Sequence, residues 1–102
     1  MNNGEIELIK GSVLYNIKTI GRKRISEREK QIAVDMILED VDLLINMYKY
    51  RKAVSTSDPM AKKLFKALSK IEMELFFYLA YTNNEEYNLS KLFSKLETLL
   101  DN

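Results

Sequence analysis

Ile6, Ile9, Val13, Ile17 and Ile20 recur at steps of three and four, the spacing of one face of an α-helix. They predict a first helix over residues 5–20. Gly11 lies inside it and weakens it by about 1 kcal/mol relative to alanine. Gly21 is placed to end it as the residue just past the C-cap. A second helix opens at Ser26, because Ser26 and Glu29 have the S-x-x-E spacing of a capping box. Its seam is Val34, Ile37, Val41, Leu44 and Tyr48, widened by Met36, Leu38 and Ile45, and it runs to about residue 53. A helix of that length is roughly 40 Å long, and a stripe that wide packs on more than one neighbour.

Residues 54–59 (VSTSDP) break the pattern, with Asp58 as a cap and Pro59 at the first helical position. A third helix over 59–81 carries Ala61, Leu64, Leu68, Ile71, Leu75 and Leu79, with Phe65, Phe76 and Tyr78 beside them. After a polar linker at 82–87, Asn88 can cap a last helix with Leu89, Leu92, Phe93, Leu96, Leu99 and Leu100 on one side. Three glycines and one proline are too few for a turn-rich β domain. The expectation is a single all-α domain over residues 1–102, an antiparallel bundle of about four helices with a long central helical hairpin.

That architecture redistributes the charge. Lys+Arg 16 against Asp+Glu 15 leaves a net charge of only +1. A connection of a few residues makes the second and third helices antiparallel neighbours. Lys49, Arg51 and Lys52 then stand beside Lys62, Lys63, Lys66 and Lys70, with Asp58 as the only acid in the loop. Asp35, Glu39, Asp40 and Asp42 form an acidic flank further back. Acids early and bases late in the second helix match its dipole, but lysines in the first turns of the third do not. Lys62, Lys66 and Lys70, at i, i+4 and i+8, form one stripe, either a solvated face that pairs with Glu72 or Glu74, or an anion-binding surface. Arg22, Lys23, Arg24, Arg28 and Lys30 make a second basic cluster, at the opposite end of the bundle and interleaved with Glu27 and Glu29. Two basic sites at opposite ends do not make one DNA groove, and no helix-turn-helix, glycine-rich phosphate loop or aromatic RNA-binding motif is present.

Composition narrows the chemistry. With no cysteine and no histidine, disulfides, thiolate sites, imidazole bases and histidine-ligated metals are excluded. Carboxylates at i, i+3 and i, i+4 among Asp35, Glu39 and Asp42 could offer oxygen ligands to Mg²⁺, although a solvated acidic face is the ordinary outcome. No cofactor and no enzymatic activity are expected. The amino terminus lacks the basic-then-apolar pattern of a signal peptide. The longest apolar run, residues 75–81, falls far short of the roughly 20 residues that span a bilayer. A cytoplasmic protein without membrane contact is the expectation.

Phe76, Phe77, Tyr78 and Tyr81 cannot share one helical stripe, so some of these rings face the last helix or a partner. Met36, Met47, Met60 and Met73 also lie off the tightest seams. Apolar surface in excess of the core points to a non-catalytic interaction or oligomerisation module. Its partner would be a protein or a second copy of the chain. The alternative is DNA or RNA binding by the basic hairpin tip. Residues 25–52 (ISEREKQIAVDMILEDVDLLINMYKYRK), followed by a break and AKKLF at 61–65, resemble the helical domain of archaeal GINS subunits. Those pass from an acidic to a basic half along one long helix, then a loop and another helix. The segment before the long helix is shorter here, and a helix ends the chain where some members have a small β-domain. The resemblance implies a non-catalytic scaffold of a replication complex.

Overall fold

The computed structural model describes residues 3–21, 24–54, 59–80 and 89–101, with only the backbone described at residues 3, 51–54 and 89. Four helices account for nearly all of them: α1 (Asn3–Ile20), α2 (Glu27–Val54), α3 (Pro59–Ala80) and α4 (Leu89–Leu100), and no strand occurs among the described residues. The protein is therefore an all-α bundle.

Contacts run around a ring. α2 packs on α1 and on α3, and α4 closes the ring against α3 and α1. The hairpin is antiparallel, because only residues 55–58 separate the end of α2 from the start of α3, and one side-chain contact fixes its register. Glu72 hydrogen-bonds to Asp42. Asp42 lies twelve residues before the end of α2 (54 − 42) and Glu72 thirteen after the start of α3 (72 − 59). α1 and α4 are also antiparallel: Leu14 and Lys18 share a cleft with Glu97 and Asp101, while the later residues Ile17, Ile20 and Gly21 share one with the earlier residues Ser90, Phe93 and Ser94. At 1.5 Å per residue α2 is about 42 Å long, and the molecule's longest dimension is 43 Å. The hairpin thus sets the length of the molecule, while α1 (about 27 Å) and α4 (about 18 Å) each cover only part of it.

The core is continuous through all four helices. Ile6, Val13 and Ile17 of α1 meet Val34, Ile37, Val41, Leu44 and Tyr48 of α2 in one buried cluster. Leu64, Leu68, Ile71 and Leu75 of α3 and Leu92, Phe93, Leu96 and Leu100 of α4 complete it. Two polar residues of α1 share its buried face. Asn16 is 5% exposed, and its amide donates to the Ser12 carbonyl at 3.0 Å. The stem of Lys10 is buried while its amine lies 3.7 Å from Glu7, so the charge reaches the surface. Both fall on the face that Ile6, Val13 and Ile17 define, Lys10 four residues after Ile6 and Asn16 three after Val13.

The helix ends differ in detail from expectation. The Ser26 side chain does accept the Glu29 N–H, at 3.1 Å. The return half of the box is replaced, because the Ser26 hydroxyl donates to the Glu29 carboxylate at 3.1 Å. Gly21 donates its N–H to the Ile17 carbonyl at 3.2 Å, yet no glycine has positive φ. The left-handed cap is not used, and a Cβ at Gly21 would meet only ordinary contacts, the nearest at 3.4 Å. α1 runs through Gly11 without a break. The caps expected at Asp58 and Asn88, and the linker at 82–87, lie outside the described residues.

Candidate interaction surfaces

Helical geometry decides which of the expected site residues come together. The core face of α3 is Ala61, Leu64, Leu68, Ile71 and Leu75, and three residues beyond Leu75 the next position on that face is Tyr78. Tyr78 is 8% exposed and belongs to the core, which corrects its assignment to a partner interface. Phe76, expected beside the core seam and also among the interface rings, is 57% exposed, and Phe77 is 50% exposed. Tyr81, the fourth ring of the expected interface, lies outside the described residues.

Lys62, Lys63, Lys66 and Lys70 are all exposed on α3, and Lys49 is exposed on α2. Arg51 and Lys52 continue α2 toward the same tip, though only their backbone is described. Moving seven residues toward the tip from the Asp42–Glu72 contact brings Lys49 level with Phe65. Lys49, Lys62, Lys63 and Lys66 are thus gathered toward one end of the hairpin, with Lys70 at the middle of α3. The first turn of α3 contains no acid to oppose them.

The larger surprise is α2. Met36, expected to widen its core seam, is exposed, as are Ile32, Leu43 and Tyr50. These four sit at steps of four, seven and seven, on the side opposite Val34, Ile37, Val41 and Leu44. Leu43, Asn46, Met47 and Tyr50 together line a shallow groove there. Sequence reasoning followed the stronger buried seam and missed this second one, although its spacing is just as regular.

Asp35, Glu39 and Asp42 are exposed. Among the described residues no group of three or more carboxylates is arranged to hold a metal ion. Instead of pairing with a lysine, Glu72 shares a hydrogen bond with Asp42. One of the two must carry the proton for that bond to form. Partial burial, the hydrogen bond and the charge of Asp42, in that order, raise Glu72 above its ordinary value of 4.5. The folded state therefore holds this proton more tightly than the unfolded chain. The stabilisation is complete below the unfolded value and is lost as pH rises through the raised one. Glu72→Gln keeps a donor and removes the charge. It is expected to raise stability at pH 7 by under about 1 kcal/mol, the scale of a surface charge interaction. It should also flatten the fall in urea midpoint between pH 4.5 and pH 7, and a variant with the same slope as the parent would count against this assignment.

A cleft of about 560 Å³ opens between the end of α1, the start of α2 and α4. Lys18, Lys30, Glu27 and Glu97 line it beside Ser90, Ser94 and Phe93. Its charges are of both signs. No helix of the described residues is long and apolar enough to cross a membrane. Comparison with known proteins finds no matching family model, no matching curated protein and no matching solved structure.

Proposed function

We propose that the protein is a non-catalytic helical module that acts by binding a protein surface, its own or a partner's, as one subunit of a larger assembly. The observation that carries this reading is the outer face of α2, where Ile32, Met36, Leu43 and Tyr50 are exposed in line. Helical surfaces that face only water carry polar residues there, and four large exposed apolar side chains aligned on one face, interrupted by Glu39, favour an interaction site. A scaffold role of the kind the GINS resemblance implies fits the same face. The lysine-rich hairpin tip supports a second reading, nucleic-acid binding in a non-enzymatic accessory role.

Light scattering across micromolar concentrations tests the first reading. The expected mass is a multiple of the 11.9 kDa chain, and Leu43→Glu should return it to a monomer with unchanged helicity. A chain that stays monomeric at high micromolar concentration and retains no cellular protein through the α2 face would overturn it.

A further inference from the structure

With Tyr78 turned into the core, the residues left on the outside of α3 form a single line. Lys62, Lys66, Lys70, Met73 and Phe77 follow one another at steps of four, four, three and four, and all are exposed. Phe76 and Lys63 are also exposed and flank the line on its two opposite sides. The stripe is cationic over its first half and apolar over its second, ending on Phe77, and it extends about 22 Å along the helix. In the sequence the lysines and the phenylalanines read as two sites. On the helix they are one.

We propose that this face of α3 binds single-stranded nucleic acid, with the lysines following successive phosphates and Phe76 and Phe77 stacking on unpaired bases. The chemistry of the two halves selects this ligand. Lysines one helical turn apart recur about every 6 Å, close enough for each to meet a phosphate of an extended strand. Exposed aromatic rings at the end of a basic track are the platform on which unpaired bases stack, without preference for sequence. In a duplex the base faces are already stacked on each other, so the rings would have nothing to bind. An acidic protein would satisfy the lysines but meets the rings only where it also carries aromatic or guanidinium side chains, whereas every unpaired base has a face to stack. The proposal rests on the nucleic-acid reading of the tip and narrows it to one face and one strand.

Fluorescence anisotropy with a labelled oligothymidylate of about a dozen nucleotides, and with a duplex of equal length, tests it on the full chain. Three lysine–phosphate contacts on a single strand give a log–log salt slope near −2, an approximately twentyfold loss of affinity from about 50 to about 200 mM salt. Lys62→Ala, Lys66→Ala and Lys70→Ala should each make that slope shallower. Phe77→Ala and Phe76→Ala should each weaken binding by about tenfold or more and leave the slope unchanged, a split that a general loss of structure would not produce. Circular dichroism checks that each variant folds. Loss of binding with Lys49→Ala but none with the phenylalanine variants would overturn the stripe and leave the tip reading standing. Equal affinity for duplex, no binding of either, or preference for a polyglutamate peptide over the oligonucleotide would overturn the proposal.

Discussion

Leu44→Ala is expected to lower the free energy of unfolding by about 3 kcal/mol, within the range of about 2–5 for buried leucines. Leu44 is fully buried and lies on α2, the helix that packs on both α1 and α3. Removing its side chain loses the transfer free energy of those methyl groups. It also leaves a cavity that two rigid neighbours cannot collapse into. A domain of this size has a total stability of only about 5–15 kcal/mol, so the loss is a large part of the whole. In urea the midpoint should fall while the slope stays constant, since the surface exposed on unfolding barely changes. Leu8→Ala, at the most exposed large apolar residue among those described, is the control and should change stability by less than about 0.5 kcal/mol. Equal effects of the two substitutions would contradict the assignment of the core.

Leu96→Ala should remove a comparable amount, but from one helix rather than from the whole molecule. α4 has 12 residues, at or below the length at which an isolated helix is stable in water. It is held by Leu92, Phe93, Leu96 and Leu100, packed against α3 and α1. With Leu96 truncated, undocking of α4 becomes the lowest-energy opening, and it precedes global unfolding. Hydrogen exchange reads this directly. The amides of α4 should approach the rates of an unstructured chain while those around Val34, Ile37 and Val41 stay protected. Simultaneous loss of protection in α2 and α4 would show instead that the four helices open as one unit.

The fold was legible because each helix carries a regular apolar stripe of strong contrast. The Val34–Tyr48 and Ala61–Leu75 seams, which position α2 and α3, are buried as their spacing requires. The site was harder. Residues 75–81 are apolar all round, so hydrophobicity alone cannot say which rings point inward. Only the three-four rhythm continued from Leu68, Ile71 and Leu75 singles out Tyr78 and leaves Phe76 and Phe77 outside. Met36 was assigned to the core by its neighbours, whereas its position lies on the far side from Val34 and Val41. The Asp42–Glu72 contact was not legible at all, because it depends on the axial alignment of two helices joined across the hairpin. Lys10 and Asn16 stood on the correct stripe but were passed over as polar.

The ring of four helices also bears on how the chain reaches this state. Three of its four interfaces join helices adjacent in sequence, and only the α1–α4 seam joins the two ends of the chain. Native contacts are thus mostly local, and chains with low contact order fold on microsecond to millisecond timescales. The hairpin can assemble before either flank has arrived. The short α1–α4 seam then closes the circle, and it is the one step that must wait for nearly the whole polypeptide.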